Sequence, residues 1–252
     1  MKHASTFFAV AALVATCASA MADDHFDIAP YFQNGKLLTG GLTHGGVAEA
    51  PPIQVYGLEF GEDPNDPFNP ADPGVNQAAG IGNLPAGAAV KYNILSSLLF
   101  WDGVDPVHYI PVPGDTHINL FMGTAKRTLT GSSGPQTGSL IQSVAGDGSM
   151  HKHFVTALHA DYDDLLSASA NVPGDPDFTA PPEGIYAFSL ELTLTNGGNT
   201  YVADPLWVVY NNGLSEEQHA AAMNAVVPEP SSMALLGLGG LALLGRQRRS
   251  VV

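Results

Sequence analysis

Between residue 26 and residue 212, apolar and polar positions alternate mainly with period two, the spacing of a strand with one buried face, and seldom with the 3.6-residue period of a helix. The clearest run is GIYAFSLELTLT at 184–195. Tyr186, Phe188, Leu190, Leu192 and Leu194 share one parity, and Ser189, Glu191 and Thr193 the other. The pattern predicts a half-buried strand there, with similar strands at 53–60, 88–95, 117–122, 151–158 and 206–210. Clusters of Gly, Pro, Asn and Asp punctuate the intervals as turns. Strands at this spacing without helices between them predict an all-β fold, an antiparallel β-sandwich or jelly-roll-like single domain over residues 23–214.

One segment breaks the pattern. In SEEQHAAAMNAV, Ser215 and Gln218 have the spacing of a capping box, and Glu216 and Glu217 fall in the first turn, where the helix dipole favours negative charge. A short helical linker over 215–227 is expected. The stretch 61–74, GEDPNDPFNPADPG, carries four prolines and reads as an irregular loop. Its Asp63, Asn65, Asp66, Asn69 and Asp72 are oxygen donors suited to calcium. They lack EF-hand or nonapeptide spacing, so calcium ranks behind zinc as a cofactor.

The two ends depart from the body in composition. Lys2 precedes the apolar run FFAVAALV at 7–14, and small residues follow at Ala18-Ser19-Ala20 and Ala20-Met21-Ala22. This is the layout of a signal peptide over 1–22, removed by signal peptidase. Its apolar run is too short to span a bilayer comfortably. The single cysteine, Cys17, lies within it after Thr16, a poor lipoprotein context. The processed protein therefore has no cysteine, which excludes disulfides, thiolate-bound zinc and thiol nucleophiles.

At the other end the chain reads VVPEPSSMALLGLGGLALLGRQRRSVV. Pro228-Glu229-Pro230 forms a stiff extended hinge, because each proline fixes its own φ and restricts the residue before it. The uncharged run 233–245 would rise about 20 Å as a helix, short of the hydrocarbon thickness of roughly 30 Å. It suits a transient inner-membrane anchor whose basic end, Arg246, Arg248 and Arg249, stays cytoplasmic. In this order the three parts resemble the PEP-CTERM sorting signal, here over 228–252. That resemblance implies export across the inner membrane of a Gram-negative-type envelope. A membrane-anchored intermediate would follow, then cleavage by an exosortase-type membrane protease near the tripeptide and delivery to the cell surface or beyond.

Between the two end segments five basic residues face 23 acidic ones, a net charge of −18. Such a surface repels phosphate backbones, so nucleic acid is not an expected partner, and it attracts divalent cations. His151-Lys152-His153 is the most informative local pattern: on a strand, residues two apart project to one face roughly 6 to 7 Å apart, close enough for both rings to reach one ion. Met150, Phe154 and Leu158 take the core-facing parity, leaving His151, His153 and His159 on the open face. His25 and Asp27, on one face if extended, are the expected further ligands, with His108 and His117 as alternatives. Histidines on a polar sheet face also occur without any ion.

The segments GLEFGEDPNDPF, LLFWDG, SMHKHF, PEGIYAFSLELT and DPLWVVYNNGLSEE are similar to a group of surface-anchored envelope proteins. Some PEP-CTERM members of that group are repressed by the zinc regulator, and relatives occur beside metal-uptake transporters. The resemblance implies a role in zinc or other metal handling; only His151 and His153 match its histidine-rich strand. The chain has no G-x-S-x-G elbow, H-E-x-x-H, P-loop or dinucleotide fingerprint. The expectation is a non-enzymatic surface protein that binds a divalent metal such as zinc. The first alternative is a structural or adhesive component of an exopolysaccharide matrix without a specific ion. The second is a glycan-binding module using Trp101 and Trp207, although both lie in apolar contexts that suggest burial.

Overall fold

A computed structural model describes residues 26–43, 46–70, 72–160 and 178–226. They belong to one compact unit, Ala20–Val227. The expected signal peptide, His25 and the whole sorting segment lie outside the described residues.

The largest sheet is built around β14 (Gly184–Asn196), the alternating run singled out in the sequence. In order, its strands are β11 (Gln136–Ser143), β6 (Ala89–Ile94), β14, β16 (Leu206–Asn212) and β4 (Val55–Glu59). β7 (Leu99–Trp101) and β15 (Asn199–Val202) also pair with β14, and β8 (Ile110–Pro111) extends from β7. A second sheet runs β12 (Met150–His153), β5 (Gly74–Gln77), β1 (Phe26–Gln33), β2 (Lys36–Thr43) and β3 (Ala48–Glu49). A third holds β10 (Ala125–Leu129), β9 (His117–Met122) and β13 (Val155–His159). All three sheets send side chains into one core, among them Ile28, Val75, Ile118, Leu158, Phe188 and Leu192. Burying each large side chain of this kind contributes about 1.5–3 kcal/mol.

The all-β architecture expected from the sequence is therefore observed, with two refinements. The β1/β5 and β16/β4 pairs are parallel within an otherwise antiparallel fold. Asn34-Gly35 closes the β1–β2 hairpin with φ of 52° and 74°, values that a type I′ turn requires and that Asn and Gly tolerate.

β14 is also buried more deeply than a half-buried strand. Its even positions enter the common core, as the periodicity predicts, but Ile185 and Ala187 on the other face are buried too, in a second cluster with Trp101, Val209, Ala222, Met223 and Val226. The cover is helix α1 (Glu216–Val226), whose buried residues His219, Ala222, Met223 and Val226 follow helical spacing. The capping box forms: the Gln218 amide donates to Ser215 Oγ at 3.3 Å, and Ser215 N donates to Gln218 Oε1 at 3.1 Å. The expected linker helix is thus docked on β4 and β16. Gly57 of β4 permits the approach, because a Cβ there would collide with the Met223 sulfur. Among the described residues no helix is long and apolar enough to cross a membrane.

The segment 151–158 is not one strand. Phe154 divides it, fully buried and packed edge-on against Tyr92 with ring centroids 5.0 Å apart. Anchoring this ring in the core lets β12 join the second sheet and β13 the third. His159, expected on the open face, is buried for that reason and stacks on His117 at 4.9 Å between centroids.

Candidate metal centre

Register in the second sheet brings the site together. β12 pairs antiparallel with β5, setting His151 opposite Asn76 and His153 opposite Gly74, so these four positions share a face. Met150 and Val75 take the other face and are buried. β1 lies on the far side of β5, with Ile28 matched to Val75, which carries Asp27 alongside Gly74. The absence of a side chain at Gly74 makes room for the Asp27 carboxylate; a Cβ there would overlap its oxygens.

Asp27 is 2% exposed, and its carboxylate accepts from Gly74 N at 2.9 Å and from Asn76 Nδ2 at 3.2 Å. Asp72, just before β5, belongs to the loop rich in oxygen donors. Its backbone carbonyl accepts from the hydroxyls of Tyr210 at 2.6 Å and Thr156 at 2.9 Å, which fixes the loop end to the core. Its carboxylate Oδ1 lies 3.5 Å from His153 Nδ1. Asp27, Asp72 and His153 each offer one ligand atom, all within 4.8 Å of one another. His153 Nε2 faces His151 Nε2 at 2.7 Å, a hydrogen bond between the rings.

The structure thus unites three of the residues singled out in the sequence, Asp27, His151 and His153, and adds Asp72. The sequence offered Asp72 as one of several oxygen donors in a proline-rich loop and gave no sign that it would face the histidines. Two other loop acids are engaged locally, Asp63 accepting from Asn65 and Asp66 from Asn69. His117 donates from Nδ1 to the Asp115 carbonyl at 2.9 Å within the third sheet, and His108 is exposed in the loop between β7 and β8. Trp101, a candidate sugar platform, is 2% exposed with its Nε1 donating to the Val104 carbonyl, so its ring is closed to a ligand. Trp207 packs against the second cluster.

A further group was missed altogether. Glu59, Glu216 and His219 also bring ligand atoms within 4.8 Å of one another. His219 had been visible only as part of a helix, and β4 and α1 are far apart in sequence.

One strand carboxylate and one loop carboxylate meeting beside imidazole favour a cation, because like charges this close raise each other's energy unless a positive charge lies between them. The donor set of two carboxylates and one imidazole fits a divalent first-row ion such as zinc, for which oxygen and nitrogen ligands stand at about 2.0–2.2 Å.

Residues 226–249 match the PEP-CTERM protein-sorting motif. That span contains Pro228, Glu229, Pro230, Arg246, Arg248 and Arg249, as the sequence led one to expect. No curated protein matches the chain. Among solved structures it is similar to the CooA pilin subunit from enterotoxigenic Escherichia coli, at 14% identity over 69% of this chain and 97% of that one, with a TM-score of 0.27. None of these comparisons bears on the zinc-regulated envelope group.

Proposed function

We propose that this chain is a non-enzymatic, exosortase-processed surface protein whose β-domain binds one divalent metal ion, zinc being the best fit, through Asp27, Asp72 and Nδ1 of His153. The sorting motif at 226–249 implies export and processing by an exosortase membrane protease. The metal reading is carried by one observation, the convergence of Asp27, Asp72 and His153.

The separation of 3.5 Å between Asp72 Oδ1 and His153 Nδ1 is long for a hydrogen bond and close to the roughly 3.3 Å that two ligand atoms keep around tetrahedral zinc. The two histidines then divide the work. Donation from His153 Nε2–H to His151 Nε2 leaves the Nδ1 lone pair turned towards the carboxylates, so His151 orients the ligand instead of binding beside it. Asn76 and the Gly74 amide do the same for Asp27. His153 is 29% exposed and Asp72 18%, which leaves solvent access for the ion and for a water completing its shell.

The test is zinc titration of the full chain, purified in detergent and stripped with chelator, compared with the His151→Ala/His153→Ala double variant. The double variant is expected to take up one equivalent fewer than the parent. Equal uptake by both would end the metal reading at this site and leave the alternative of a structural matrix component.

A further inference from the structure

We infer that Glu59, Glu216 and His219 form a second divalent-metal site, separate from the first, which ties helix α1 to strand β4. The argument begins with hydrogen positions. His219 is 1% exposed, and its Nε2 lies 3.1 Å from the Val209 carbonyl, which can only accept. Nε2 therefore carries a hydrogen, and the neutral ring presents a lone pair at Nδ1. That lone pair faces Glu59 Oε1, another acceptor, at 3.2 Å. Two acceptors held so close need positive charge between them, supplied by a proton or by a metal ion.

Glu216 separates these two possibilities. A proton bridges only His219 and Glu59, with Glu216 no more than a neighbouring charge, whereas a divalent ion binds all three ligand atoms, which lie within 4.8 Å of one another. The supports are those of a ligand set. The Val209 carbonyl fixes the His219 tautomer, and Asn211 Nδ2 donates to both Glu59 oxygens, at 3.1 and 3.3 Å. Asn211 is itself held by Leu214, its Oδ1 accepting from Leu214 N at 2.9 Å and its Nδ2 donating to Leu214 O at 2.9 Å. Glu216 is exposed, so the ion has an open side. Two carboxylates and one imidazole suit a first-row divalent ion. Because Glu216 and His219 lie on α1 and Glu59 on β4, the ion would brace the helix that ends at Val226, where the sorting motif begins.

The experiment uses the full chain carrying His151→Ala and His153→Ala, which leaves this group intact while breaking the other cluster of ligand atoms found among the described residues. Zinc is titrated calorimetrically after chelator treatment, and hydrogen exchange of α1 is followed with and without zinc. One equivalent is expected to bind, with slower exchange in α1. Glu216→Gln keeps the size of an exposed side chain and removes only its charge, and it should weaken binding at least about tenfold and abolish the slowing. Zinc affinity unchanged by Glu216→Gln, or no zinc bound by the double-histidine background, would overturn this inference. Either result leaves the first site to be judged separately by its own comparison with the unmutated parent.

Discussion

The Tyr210 hydroxyl donates to the backbone carbonyl of Asp72 over 2.6 Å, joining the fully buried centre of the largest sheet to the loop whose carboxylate lies beside His153 in the candidate metal centre. Thr156 reaches the same carbonyl at 2.9 Å and lies 2.8 Å from the Tyr210 hydroxyl, so the anchor is a three-membered network. Tyr210→Phe removes one member without changing the ring packing against Phe60. It is expected to lower stability by about 1 kcal/mol, since Thr156 still serves the carbonyl. Zinc affinity should fall with it as Asp72 loosens. Chemical denaturation and calorimetric titration measure the two effects.

His151 and His153 should differ in kind. If His153 is a ligand and His151 orients it, His153→Ala eliminates binding at this site, whereas His151→Ala weakens it by about 10–100-fold, the usual effect of losing an orienting partner. Titration of the two single variants distinguishes them, and equal losses would contradict the assigned roles.

Gly74→Ala is expected to damage fold and site together. Its Cβ would meet the Asp27 carboxylate, and neither β1 nor β5 can move without breaking ladder bonds. The cost should be about 1–3 kcal/mol in unfolding free energy, as for other overpacked positions, with weaker zinc binding.

Stability should decline in alkali. Burial pushes the Tyr56 and Tyr210 hydroxyls well above the ordinary value of 10.0, and it raises Tyr109 and Tyr186 as well. Groups whose folded pKa is raised stabilise fully below the unfolded value and lose that contribution as pH climbs through and beyond it. The unfolding midpoint should hold below about pH 10 and drop above it, with the tyrosinate absorbance of these four side chains appearing as the chain unfolds.

Processing at the C-terminus predicts a mass. Protein recovered from the cell surface or medium should lack the residues after the Pro228-Glu229-Pro230 hinge. Replacing all three of these residues by alanine should leave the tail attached and the protein in the membrane fraction. Intact-mass spectrometry reads both, and a surface form carrying the complete tail would rule out exosortase processing.

The features legible before folding were the local ones. Period-two alternation marked β14, β9 and β16 because each strand buries at least one face on a core, and that requirement acts residue by residue along the chain. The Ser215–Gln218 box and the C-terminal sorting motif were equally readable, since a cap or an apolar run between a proline hinge and arginines depends only on near neighbours. His151 and His153 stood out for the same reason, two imidazoles on one parity. The arrangement around them was decided by contacts that no local pattern encodes. Phe154 splits a continuous-looking strand between two sheets because its ring fills the core beside Tyr92. Parallel pairing of β1 with β5 delivers Asp27, Gly74 leaves it room, and Tyr210 fixes Asp72 from across the core. The partnership of Glu59 with His219 likewise exists only once α1 lies on β4. Side chains distant in sequence are brought within reach of one another through strand register and helix docking, and both are set by how the whole core packs, not by the residues on either side of each one.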